Sequence, residues 1–209
     1  MTLDLGVLIS GTGTNLGAIL SAVAERRLDA RVRLVLSNRE DAGGLERARA
    51  AGVPTRVLSH RAFPTREAFD AAMVDALTEA GVSHVVLAGF MRVVTPVLLD
   101  AFADRVINVH PALLPAFPGV DAQAQAIAYG VRVSGCTVHF VDPGVDTGPI
   151  ILQTAVAVEP GDDRATLAAR ILVKEHETLV TALRLLSEDR VTIEGPPASG
   201  GRRRVVVRG

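Results

Sequence analysis

The sequence predicts an α/β fold of Rossmann-like architecture, with a mostly parallel central sheet and helices on both faces. Three observations carry that expectation. Short apolar runs alternate with amphipathic segments along nearly the whole chain. The first apolar run, Leu3 to Ser10, breaks at a glycine turn, Gly11-Thr12-Gly13, that hands over directly to helical spacing. That run is near-continuous in aliphatic residues, as strands buried on both faces are.

The elements follow in order. Asn15 to Arg27 carries Leu16, Ile19, Leu20 and Val23 at helical spacing. Arg31 to Ser37 reads as a second strand. Gly44 to Ala51 is a short helix stopped by Gly52 and Pro54, and Thr55 to Leu58 a third strand. Thr65 is placed to cap a helix running to Ala80, with Gly81 just past its end. Ser83 to Ala88 is a fourth strand leading into Gly89-Phe90-Met91-Arg92. Pro96 to Phe102 is helical with proline at an early position, and Arg105 to Val109 is the fifth strand. Ala122 to Tyr129 reads as helix, and Thr137 to Val141 and Ile150 to Val158 as strands. A long helix from Arg164 to about Glu188 follows, opened by Asp162 and Asp163. One domain is expected over 1–194. Gly195 to Gly201 is a Pro/Gly/Ser linker, and the basic tail Arg202 to Arg208 is expected to pair with Val191-Thr192-Ile193 as a terminal hairpin.

Composition narrows the function classes. A formal net charge of -1 provides no overall field for nucleic acid or an anionic membrane. With 3% aromatic residues and no Trp, stacking platforms for exposed bases are scarce. Cys136 is the single cysteine, so no intrachain disulfide or CxxC metal site can form. The apolar run Leu5 to Ile9 is too short for a signal peptide, and no segment approaches the ~20 apolar residues of a membrane helix. A soluble, cytoplasmic protein is expected, with neither nucleic-acid nor membrane partner.

The chemistry concentrates after the fifth strand. Ile107-Asn108-Val109-His110-Pro111-Ala112-Leu113-Leu114-Pro115 delivers an amide and an imidazole, and Asp146-Thr147-Gly148-Pro149 a carboxylate. The carboxyl ends of strands are where ligands bind in open α/β sheets. Asn108 can donate to a developing oxyanion, His110 can carry a proton near neutral pH, and Asp146 can orient that imidazole and hold it charged. Such a set suits acyl-type transfer through a tetrahedral intermediate. The glycine turn, Gly11-Thr12-Gly13-Thr14-Asn15, offers free N–H groups at a helix start to an anion. Leu16 stands where a dinucleotide fingerprint has its third glycine. The second strand ends in Ser37-Asn38 rather than a carboxylate, and no Gly-Lys-Ser/Thr occurs. The turn therefore favours a single phosphate over a dinucleotide or nucleoside triphosphate. His139, between Val138 and Phe140, reads as a packed, hydrogen-bonded histidine rather than a catalyst. Cys136, His139, Asp142 and Asp146 match no compact metal-binding spacing, so no metal is expected.

With these motifs and Gly89-Phe90-Met91-Arg92 in this order, the chain resembles the phosphoribosylglycinamide formyltransferase family from about Leu5 to about Leu186. The resemblance implies formyl transfer from 10-formyltetrahydrofolate to glycinamide ribonucleotide, a step of purine synthesis, with Asn108, His110 and Asp146 as the catalytic trio. It makes Gly11, Thr12, Gly13, Thr14 and Asn15 the phosphate loop and Glu175 a contact of the nucleotide. On the folate side it implies Arg66, Met91, Arg92, Val93, Val94, Val141, Asp142 and Val145, beside Asn108 and Asp146. The N-terminal half then serves the nucleotide and the C-terminal half the folate, in a monomer or homodimer. The chain departs from the family's pattern at Ala112, usually Ser, and at Asp121, commonly His. Within related chemistry, a formyltetrahydrofolate deformylase would be expected to carry a further domain before the first strand, and a methionyl-tRNA formyltransferase one after the last. A sugar-nucleotide formyltransferase fits the glycine turn less well than a monophosphate enzyme does. A non-catalytic folate or metabolite sensor would not need the trio together.

Overall fold

Leu3–Ile9 forms the first strand, β1. Its residues Leu3, Leu5, Val7 and Ile9 enter one apolar layer and Leu8 the other, so a single strand seeds both halves of the core. The computed structural model describes residues 1–196 and 201–209. β2 (Ala30–Ser37) and β4 (His84–Leu87) flank β1 in parallel. β3 (Thr55–Val57) pairs in parallel beyond β2, as β5 (Val106–His110) does beyond β4. β6 (Val133–Phe140) and β7 (Ile150–Ala157) then join antiparallel. The seven-stranded order is β3-β2-β1-β4-β5-β6-β7. The chain thus turns back across β1, and the crevice at such a switch is where α/β sheets bind ligands.

Helices α1 (Thr14–Ala24), α2 (Gly43–Ala50) and α6 (Arg164–Ser187) cover one face through Leu16, Ile19, Leu45, Leu179 and Leu183. α3 (Arg66–Glu79) and α4 (Pro96–Ala101) cover the other with Phe69, Met73, Leu77, Leu98 and Leu99. α5 (Ala122–Tyr129) lies beside α6, where Ala126, Cys136, Leu167 and Ile171 form a smaller core. The Thr65 hydroxyl caps α3 by accepting from Ala68 N at 3.1 Å. α6 opens on a capping box: Asp163 takes the Thr166 N–H, and the Thr166 hydroxyl takes the Asp163 N–H. Asp162 instead grips Arg170 at 2.6 Å, and that guanidinium holds its carboxyl down at about 2.

Two elements differ from the sequence expectation. The sixth strand starts at Val133, not Thr137. Ser134-Gly135 looks like a break, but Gly135 lies opposite Ala155 in the ladder, where any Cβ would strike the Thr154 carbonyl. A 3-10 turn at His60–Ala62 had no sequence signal. At the C-terminus, β8 (Val191–Glu194) pairs antiparallel with β9 (Arg204–Val207) in a separate two-stranded sheet. Of the Gly195 to Gly201 linker, 197–200 lie outside the described residues. Among the described residues no helix is long and apolar enough to cross a membrane.

Candidate active site

β5 ends in the sequence Asn108-Val109-His110, so Asn108 and His110 project from the same face of the strand, two residues apart. Across the ladder Asn108 lies opposite His139 of β6. Asn108 Nδ2 and His139 Nε2 are 3.1 Å apart, and His139 Nδ1 is 2.8 Å from the Phe140 carbonyl. Because that carbonyl only accepts, Nδ1 carries the hydrogen and Nε2 is the acceptor for the Asn108 amide. Burial pushes the His139 pKa down, which agrees with this neutral tautomer. The 3.7 Å approach of His139 Nε2 to Asp146 Oδ1 is therefore no ion pair. Held this way, Asn108 keeps its second N–H for another acceptor.

His110 is 4% exposed. Its Nδ1 faces Asp146 Oδ2 at 3.3 Å and its Nε2 lies 2.8 Å from the Phe117 carbonyl. The Phe117 carbonyl only accepts, so Nε2 carries a hydrogen, and Nδ1 faces the carboxylate. Asp146 Oδ2 also accepts the Gly119 N–H at 2.8 Å. Asp146 holds a left-handed φ of 54°, as do Phe117 at 54° and Asp121 at 56°. Two of these, Phe117 and Asp146, face the imidazole itself, in a conformation imposed by its surroundings.

The glycine turn sits at the end of β1. Gly13 has φ 68°, and a Cβ there would come within 2.5 Å of Gly44 Cα, so α2 packs against bare backbone. The Gly11 carbonyl takes the Gly44 N–H at 3.0 Å, and the Thr12 carbonyl takes Arg47 Nε at 3.0 Å. The C=O and N–H of a trans peptide point opposite ways, so the Thr12 and Gly13 N–H groups face away from α2. Asn15 Nδ2, at the start of α1, donates to Glu175 Oε2 of α6 at 2.8 Å, both residues being buried. Burial pushes the Glu175 carboxyl up, and the hydrogen bond from Asn15 pulls it partly back. One polar line thus runs from the glycine turn through Asn15 to Glu175.

The remaining sequence-predicted residues lie around this line. Ser10 Oγ accepts the Met91 N–H at 2.8 Å and donates to Asn38 Oδ1 at 2.7 Å, tying the segment after β4 to the ends of β1 and β2. Met91 and Val93 are exposed, whereas Val94 is buried against α4. Arg66 and Arg92 share a cleft of about 170 Å³ with His60, Phe63, Asp70 and Val93, apart from the trio. Val141 continues the sheet by donating to the Val106 carbonyl. Asp142 accepts from the Thr147 hydroxyl and Gly144 N, shaping the loop that presents Val145 and Asp146. The Asp121 carboxylate turns outward to Arg164 Nε at 2.6 Å. Among the described residues no three His, Cys, Asp or Glu side chains are arranged to hold a metal.

Sequence reasoning missed Arg47 and Gln125 and did not foresee that His139 would bond Asn108. The last had a signal: antiparallel pairing of β5 with β6 sets Asn108 opposite His139. The other two act on backbone carbonyls and leave no trace in residue spacing.

The formyl transferase family pattern matches residues 4–183. Phosphoribosylglycinamide formyltransferase of Mycobacterium tuberculosis is 46% identical over 95% of this chain and 92% of its own. The crystal structure of glycinamide ribonucleotide transformylase 1 from Symbiobacterium toebii superposes with a TM-score of 0.95 at 52% identity, covering 100% of this chain and 95% of that one. The trifunctional purine biosynthetic protein adenosine-3 of Drosophila pseudoobscura pseudoobscura is 47% identical over 88% of this chain, which spans only 14% of that longer protein.

Proposed function

The chain belongs to the formyl transferase family, and on that premise we propose that it moves a formyl group from N10 of 10-formyltetrahydrofolate to the amine of N1-(5-phospho-D-ribosyl)glycinamide in purine biosynthesis. The observation that carries the reading is the buried His110 ring set between Asp146 and the Phe117 carbonyl, with Asn108 on the same face of its strand.

The nucleotide phosphate sits on the Thr12 and Gly13 N–H groups and the start of α1, with Thr12 and Thr14 hydroxyls adding donors. Gly11 and Asn15 shape that loop, and Glu175 contacts the nucleotide. Arg66, Met91, Arg92, Val93, Val94, Val141, Asp142 and Val145 form the folate side. Holding both substrates at once converts a bimolecular attack into an intramolecular one, worth several kcal/mol. The amine attacks the formyl carbon, and the oxyanion meets the free Asn108 N–H and the charge of His110. As the C–N10 bond breaks, Asp146 and His110 help the proton pass from the attacking amine to N10. The same reading makes the protein a cytoplasmic monomer or homodimer acting on small molecules, without metal, nucleic acid or membrane.

The test is absorbance-monitored release of tetrahydrofolate with and without glycinamide ribonucleotide. Release that requires the nucleotide and yields formylated product is expected. Release without it would make water the acceptor, and no release at all would sink the reading.

A further inference from the structure

The loop from Phe117 to Asp121 supports both halves of the proposed proton path with backbone alone. The Phe117 carbonyl accepts from His110 Nε2, and the Gly119 N–H donates to Asp146 Oδ2. Its conformation is costly, with Phe117 and Asp121 both at positive φ. Something outside the loop must hold it. Gln125, one turn into α5, points its amide back: Nε2 donates to the Pro118 carbonyl at 3.2 Å and to the Val120 carbonyl at 2.9 Å. Both partners are acceptors, which fixes the amide's orientation without ambiguity.

We propose that Gln125 is a positioning residue for the formyl transfer, gripping the carbonyls on either side of Gly119 and thereby aiming the Gly119 N–H at Asp146. The lever is peptide planarity. The Pro118 carbonyl and the Gly119 N–H belong to one trans peptide and point opposite ways, so fixing the first directs the second. Oδ2 of Asp146, the oxygen that this N–H holds, is the same one that faces His110 Nδ1. The ion pair between Asp121 and Arg164 ties the same loop to α6. Asp121 thus acts as an anchor for this loop rather than a proton carrier, in place of the histidine common in the family.

The inference rests on the proposed activity, and the test separates the two. Gln125→Glu is isosteric but cannot donate, and Gln125→Ala removes the grip; both keep a good helix former on an exposed face. In each variant kcat should fall about tenfold or more, the scale of loss that small misplacements of reacting groups cause. KM for the nucleotide should stay within about twofold of the parent's, because the glycine turn is untouched. The imidazole N–H protons of His110, followed by NMR, should exchange faster with water. Should kcat stay within about twofold in both variants, the proposal is overturned. It is overturned equally if kcat and KM drift together while the His110 protons are unmoved, since that marks a merely structural loss. His110→Ala is the separate arm: near-normal turnover there would remove the activity assignment itself and leave Gln125 nothing to position.

Discussion

Asn15 and Glu175 lie 160 residues apart and share a buried hydrogen bond of 2.8 Å that closes α6 over the start of α1. The bond holds a carboxylate where burial disfavours its charge. A group whose folded pKa is raised contributes stability below its unfolded pKa, near 4.5, and loses it as pH rises through the folded value. At neutral pH the charge on Glu175 therefore works against the fold. Glu175→Gln, which still accepts from Asn15, should raise the neutral-pH Tm by about 2–4 °C, the equivalent of ~1 kcal/mol in a chain of this size. Its advantage should vanish below pH 4.5. The same variant should bind the nucleotide more weakly, which melting curves at two pH values together with KM would check.

The pairing of Asn108 with His139 predicts non-additivity. Asn108→Ala should lower kcat about 10²- to 10³-fold, as removal of an oxyanion donor does. His139→Ala should also lower it, but should cost little more once Asn108 is already Ala. A double-mutant cycle on kcat reads this coupling directly. Fully additive losses would mean His139 does not act through the amide.

At Gly44 a Cβ would lie 2.5 Å from Ile9 Cδ1 and 3.1 Å from Gly13 Cα. Gly44→Ala should push α2 away from the glycine turn and loosen the Gly44 N–H bond to the Gly11 carbonyl. We expect KM for the nucleotide to rise about tenfold or more, equivalent to at least ~1.4 kcal/mol, while KM for the folate stays close to the parent's. Separate saturation curves for the two substrates would show it.

The capping box of α6 gives a prediction with no catalytic component. Asp163→Ala should lower the Tm by about 2–4 °C, since the cap it supplies is lost. The kcat should be unchanged, since Asp163 touches none of the site residues.

Much of this was legible in the sequence because backbone periodicity writes it there. Apart from the start of the sixth strand, the strand runs, the Thr65 cap and the Gly81 stop all lie within two residues of the elements observed. Asn108 and His110 could be singled out at the end of an apolar strand, and Asp146 in the loop after the next one. What stayed hidden depends on pairs distant along the chain. The place of Gly135 inside a strand carries no local signal, because its reason is the Thr154 carbonyl across the ladder. Gln125 and Arg47 resembled ordinary surface residues of helices. Their partners are carbonyl oxygens, which every residue has and no motif can flag. Among the described residues Arg66 has no such partner, and it was proposed through resemblance alone.

Strand order has one more consequence. β1 ends in the glycine turn and β5 ends in His110, with only β4 between them. Two inter-strand steps amount to roughly 10 Å, so the sheet itself sets the separation between anchor and chemistry. On the proposed reading this makes the backbone a ruler. An acceptor whose phosphate and amine span that distance is presented to the formyl carbon. One that is shorter or longer by a bond or two binds its phosphate equally well and never reaches.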